Sequence, residues 1–310
     1  MHTAFFSQPI KLLILTATVF AWSSTAPGLL PSKQPDKKTA GLFAYDSSVP
    51  FDLKEESAKQ EDGITIRDIH YAAYAPKHGR IKAYLIQPSG KGPSAGILFF
   101  HWLGEAKSDR TEFLDEAVAL AKQGTASLLI QGYFPWLEKP TDGETDHQQI
   151  IDQTIEVRRA LDLLLFQPKV DKRRIGFVGH DYGAMFGSIA SGVDKRVKTY
   201  VLIAGMGSFS DWSLKYWAGP SKQGAEVYKQ AVKDVDPIAY VSQAAPASLL
   251  FQFANNDKYI PKEVAQEFFD AASKPKEVKW YDATHDLHIE AALNDRREWL
   301  TRQLRSGKSQ

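Results

Sequence analysis

A mostly parallel α/β sheet with helices on both faces is predicted by three features of this chain. Apolar strand-like runs alternate with amphipathic helical runs from about Ile64 to Leu304. The chain has 310 residues and 43% apolar side chains, enough to bury one large core. A glycine-flanked turn, "GHDYG" at 179–183, joins a buried-strand pattern to a helix of small residues.

Taken in order, the chain opens with Lys11, the apolar run "LLILTATVFAW" and the small residues "SSTA". That is the pattern of a secretory signal peptide over residues 1–26. The run is shorter than the roughly 20 residues a membrane-spanning helix needs. Export to the periplasm or the exterior is therefore expected. The absence of cysteine fits an oxidising destination and excludes a lipoprotein anchor, thiolate zinc sites and a cysteine nucleophile. Residues 27–63 are polar without a sustained period and read as irregular, with "GLFAYDSSVPF" able to lie on the domain surface.

The folded domain is expected over 64–305. "ITIRDIHYA" and "RIKAYLIQP" read as an antiparallel hairpin. The strand "SAGILFFHW" follows, then the helix "TEFLDEAVALAKQG", closed by Gly124, and the strand "ASLLIQGYF". A long helix ends before Pro168. Strand "RIGFVGHD", helix "GAMFGSIASG", and strands "VKTYVLIAG" and "ASLLFQFAN" come next. Helix "KEVAQEFFDAASK", strand "KEVKWYDAT" and a last helix to Leu304 complete the pattern. Right-handed crossovers place the loops after each parallel strand along one edge, where such folds bind ligands. The stretch near 206–240 is too long for a plain crossover. It reads as a crossover helix plus a small lid carrying Phe209, Trp212, Tyr216 and Trp217, or as aromatics that only seal the core.

The chemistry centres on Asp181. Two glycines around a central residue between strand and helix make a turn so sharp that the central side chain projects above the sheet. The helix N-terminus then aims the N–H of Tyr182 at developing negative charge. A nucleophile needs a base and an acid that orients it, in the chain order nucleophile, acid, histidine. Asp181, Asp257 and His285 appear in that order, each just past a predicted strand. The rival reading makes Asp257 a turn or helix-cap residue beside Asn255 and Asn256. His288 competes with His285, and His180 reads as a packed elbow residue. The loop "HWLGEAKSD" after the third strand supplies the second oxyanion donor, the N–H of Trp102 or Leu103.

Together "HWLG", "GHDYGAMFG", "NDKYIP" and "ATHDLH" resemble the α/β-hydrolases of the dienelactone hydrolase and prolyl-oligopeptidase-like branch, over roughly Ile64 to Leu304. That resemblance implies an eight-stranded α/β-hydrolase fold, a triad at Asp181, Asp257 and His285, and hydrolysis of a small ester or lactone. The branch carries cysteine or serine where this chain has Asp181. "GHDYG" is instead similar to the elbow of haloalkane dehalogenases and epoxide hydrolases, whose nucleophile is aspartate. Those families carry a large helical cap that this chain lacks.

A carboxylate attacking an ester would form an anhydride and expel an alkoxide, which is strongly uphill. Attacking an sp3 carbon that bears halide or epoxide oxygen, it forms a stable alkyl ester that a histidine-activated water can hydrolyse. An epoxide needs an acid, for which Tyr216 and Tyr133 are placed in suitable loops. A halide needs N–H donors, which the indoles of Trp102, Trp136, Trp212 or Trp217 offer. Trp136, Trp212, Tyr216 and Trp217 are therefore expected in the substrate pocket, or else in the core. A hydrolase without covalent aspartate chemistry and a non-catalytic small-molecule binder remain as alternatives. Formal net charge is +1 with both signs interspersed, which argues against nucleic acid or an anionic membrane as partner. With no phosphate loop, nicotinamide fingerprint or metal-ligand spacing, neither cofactor nor metal is expected.

Overall fold

The computed structural model describes residues 41–90, 92–103 and 109–305; the signal-peptide expectation falls on 1–26, outside them. Nine strands form one sheet: β1 (Lys54–Glu61), β2 (Ile64–Ala72), β3 (Arg80–Pro88), β4 (Ser94–Phe100), β5 (Thr125–Ile130), β6 (Val170–His180), β7 (Thr199–Ile203), β8 (Ser248–Ala254) and β9 (Lys276–Tyr281). Their spatial order is β1-β2-β3-β5-β4-β6-β7-β8-β9. β4 to β9 run parallel, and β1, β2 and β3 extend the sheet in antiparallel pairing beyond β5. The eight expected strands are β2 to β9.

The ninth strand corrects the reading of 27–63 as irregular. β1 has the sequence KEESAKQE and every residue is exposed. Neither face is buried, so no apolar alternation marks it. What holds it is the backbone ladder to β2, helped by ion pairs such as Arg67 with Glu55 and His70 with Glu56. Upstream, Phe43 is fully buried and meets Tyr240 edge-on, so part of "GLFAYDSSVPF" does pack on the domain.

The central strands are apolar throughout because helices cover both faces. All residues of β4, β7 and β8 are buried. On one face lie α1 (Leu114–Lys122) and α9 (Glu290–Gln303), tied by a buried ion pair, Arg296 Nη2 to Glu116 Oε2 at 2.7 Å. On the other lie α2 (Gly143–Leu165) and α3 (Tyr182–Val193), which pack together. Asp142 caps α2, accepting the N–H of Thr145 at 3.0 Å.

Between β7 and β8 the expected crossover helix is four short ones: α4 (Phe209–Tyr216), α5 (Ala218–Ser221), α6 (Ala225–Val232) and α7 (Pro237–Val241). α6 packs on α2 and α7 on α3, completing the helical layer. α4 and the residue after it present Trp212, Tyr216 and Trp217 to a cavity at the strand C-termini. Phe209 points inward as core. α8 (Lys262–Ala271) links β8 to β9.

Candidate active site

The turn after β6 is as tight as the two glycines suggest. A Cβ on Gly179 would lie 2.3 Å from the carbonyl oxygen of Gly183, and one on Gly183 would lie 2.1 Å from that of Phe100. Between them Asp181 adopts φ 54° and ψ −116°. A non-glycine residue there costs about 1–3 kcal/mol of strain, which the surrounding structure must impose. The backbone is pinned by the Asp181 N–H donating to Ile203 O at 2.8 Å.

Three loops converge on this carboxylate. From the β4 loop, the N–H of Leu103 donates to Asp181 Oδ2 at 3.3 Å. The N–H of Tyr182, first residue of α3, also favours the ionised carboxylate. From the β9 loop, His285 Nε2 stands 3.8 Å from Asp181 Oδ1. That is beyond hydrogen-bond length, and among the described residues Oδ1 has no partner. From the β8 loop, Asp257 Oδ2 lies 2.8 Å from His285 Nδ1. Asp257 Oδ1 accepts the N–H groups of Tyr259 and Ile260 at 2.8 and 3.0 Å. Asp257 is thus both a turn residue and the partner of the histidine, one oxygen for each. His285, not His288, takes the position between the two aspartates.

The electrostatics follow from burial and partners. Asp181 has no exposed surface, and desolvation pushes its pKa up to about 7 against the pull of His285 and the Leu103 and Tyr182 amides. Burial disfavours the charged imidazole of His285, yet the Asp257 hydrogen bond and the two aspartate charges outweigh it, so its pKa rises. Burial also works against Asp257, but the His285 bond and its two backbone donors hold its carboxyl below the usual range.

No family model matches the chain. Over 201 residues it is 26% identical to acyl-coenzyme A thioesterase 3 of Mus musculus, covering 61% of this chain and 44% of that protein. Over 142 residues it is 29% identical to acyl-coenzyme A amino acid N-acyltransferase 2 of Rattus norvegicus, covering 45% and 31%. The matches span less than half the length of either relative. Among solved structures, an acetyl xylan esterase from Paenibacillus sp. R4 superposes with a TM-score of 0.70 at 18% identity, covering 86% of this chain and 92% of that one. A glucuronoyl esterase from Solibacter usitatus does so with 0.62 at 12% identity, covering 86% and 91%. This is the α/β-hydrolase fold.

In this hydrolase fold a cavity of about 650 Å³ opens beside His285. Trp102, Leu103, Trp212, Tyr216, Trp217 and Tyr259 contribute to its wall. Two expectations are corrected there. Trp136 is not among the residues of this wall; with Tyr133 and Leu103 it lines a second cavity. Its indole N–H donates to Trp102 O at 2.7 Å, so it is not free to hold a halide. Both aromatics follow β5. Of the two amides considered for the oxyanion hole, Trp102's is committed to Glu112 Oε2 at 2.8 Å, which leaves Leu103's for Asp181.

Glu112 and its partner were not legible as a unit. His180 Nδ1 lies 2.7 Å from Glu112 Oε1, and His180 Nε2 lies 3.0 Å from His285 O. The elbow histidine is packed, as expected, but it is also bonded to the loops on either side. No sequence signal pairs residues 68 positions apart.

Proposed function

We propose that this chain is a hydrolase of small organic molecules in which Asp181 is the nucleophile, with an epoxide or haloalkane as substrate class. One observation carries the reading: Asp181 Oδ2 occupies the hole itself, facing the Leu103 amide, while Oδ1 is unpartnered and faces His285. In a serine hydrolase that hole receives the substrate's acyl oxygen. Filled by the nucleophile's own oxygen, it suits a reaction in which the tetrahedral intermediate forms at Asp181 Cγ.

In the first step Oδ1 attacks an sp3 carbon, and the carbon–halogen or carbon–oxygen bond breaks with its electron pair leaving on halide or oxygen. Tyr216 lines the cavity and is the acid for an epoxide oxygen; Tyr133 faces the other cavity. In the second step His285 takes a proton from water as the water attacks Cγ. Oδ2 carries the charge toward the Leu103 and Tyr182 amides, and collapse releases the alcohol, protonated by His285. Asp257 stabilises the imidazolium in between.

A second reading is supported by the esterase and thioesterase names of similar proteins and by the near-neutral pKa of Asp181. In it Asp181 acts as a general base on water attacking an acyl carbon. One experiment separates the two. A single turnover in H2(18)O, with enzyme in excess over an epoxide, haloalkane or ester that is turned over, labels the Asp181 carboxylate if Asp181 is the nucleophile. Label in the product alone overturns the covalent reading. Export enters as a further proposal, carried by the sequence of 1–26. Recovery of the full-length chain in the cytoplasmic fraction overturns it.

A further inference from the structure

We propose that Glu112 is a positioning residue that works as a neutral acid, donating its proton to His180 and so tying the β4 loop, the elbow and the His285 loop into one rigid frame.

The proton count is fixed by the partners. A carbonyl oxygen only accepts, so the contact from His180 Nε2 to His285 O requires a proton on Nε2. The contact between His180 Nδ1 and Glu112 Oε1 requires a second proton between those atoms. The pair therefore holds two protons, arranged as carboxylic acid with neutral imidazole or as carboxylate with imidazolium. Both sites are almost fully buried, and burial disfavours the charged arrangement. Among the described residues Glu112 Oε2 receives one donor, the Trp102 amide. Of the other groups facing Glu112, His288 and Arg296 favour its anion and Glu116 opposes it, while Arg296 is already paired with Glu116. Desolvation dominates and pushes Glu112 up to about 8, while His180 falls well below the usual histidine value. Both shifts favour the neutral arrangement.

Geometry gives this acid its role. Its second oxygen anchors the Trp102 N–H, and the next amide, Leu103, is the one aimed at Asp181 Oδ2. The Trp102 ring also stacks on His180, centroids 5.0 Å apart and planes 12° from parallel. Through His180 the same acid fixes the backbone carbonyl of His285, whose ring faces both aspartates. If Glu112 loses its proton, one of the two His180 links must fail, because no tautomer supplies two protons from one. The inference rests on the Asp181–His285 reading only for its consequence in turnover.

The test needs no substrate. Nitrogen-15 NMR of histidine-labelled protein, with His180 assigned by its absence in His180→Gln, reports both ring nitrogens. At pH 7 Nε2 should be protonated and Nδ1 should not. As pH rises through the Glu112 value of about 8 the His180 signals should shift in the wild type, and they should stay fixed in Glu112→Gln. A glutamine there donates N–H to Nδ1 and accepts from Trp102, as the acid does, but cannot titrate. A doubly protonated His180 ring at pH 7 overturns the proposal, as does a ring that carries its proton on Nδ1 and not on Nε2. The wild-type titration stands alone if the variant does not fold. Failure of the Asp181 reading would appear in the oxygen-18 experiment and leave these signals untouched.

Discussion

Two histidines with ring centroids 5.5 Å apart each face a buried carboxylate, and the two pairs settle in opposite states. Asp257 receives two backbone N–H groups as well as His285, so its carboxyl is held down and the imidazole is ready to take a proton. Glu112 has a buried side chain and receives one backbone amide among the described residues, so in the proposed frame its proton stays on and His180 stays neutral. Residue type does not distinguish the pairs. The number of donors aimed at each carboxylate does. In the proposed mechanism one pair changes charge during the reaction, and the other keeps its charge constant while holding the first in place.

The comparison breaks most sharply at the reacting side. Asp181→Ala should remove turnover, by about 10⁴-fold or more, measured as kcat/KM on any substrate the wild type hydrolyses. His285→Gln should remove steady-state kcat while leaving the first step intact, so an alkyl adduct should accumulate on Asp181 as a mass increase of the whole protein. Asp257→Asn removes the charge that orients His285 and should cost about 10²–10⁴-fold. On the neutral side Glu112→Ala should cost less, about 10- to 100-fold, through misplacement of groups that remain present. The smallest effect is a gain: Asp181→Ser empties the hole of the Oδ2 oxygen and should confer slow hydrolysis of p-nitrophenyl acetate.

Acidity sharpens the contrast further. In the proposed covalent route Asp181 must be ionised to attack, so kcat/KM should rise through about pH 7 and fall again near 8 as Glu112 ionises. Glu112→Gln should remove the alkaline limb alone. Stability carries the same signature. The folded pKa of Glu112 is raised, so its favourable contribution is complete below the ordinary value of 4.5 and is lost as pH climbs toward 8. Glu112→Gln should therefore melt above the wild type at pH 8, with the gap narrowing toward pH 5. For Asp257, whose folded pKa is lowered, the contribution is present above the ordinary 3.8 and lost as pH falls through the folded value.

What the sequence revealed follows from what is local. The elbow, the strand ends and the chain order of Asp181, Asp257 and His285 are written in short stretches, and the three side chains do converge. The Glu112–His180 link joins residues from two loops with no shared pattern, so only the fold displays it. Trp136 and Trp212 look alike as loop aromatics, and which side of the β4 loop each occupies depends on strand order. β1 was missed because hydrophobic period reports burial, and this strand has none.

That last strand has a consequence for the molecule's surroundings. It ends the sheet, and among the described residues one side of its backbone ladder faces no further strand. A sheet edge in that position can template the addition of foreign β-structure. Here Lys54, Glu55, Glu56, Lys59 and Glu61 line it, with Ala58 its single apolar side chain. An incoming strand would gain backbone bonds but no oily contact, and it would have to displace the hydration of at least some of five charges. Among the described residues this edge is guarded by charge and its hydration.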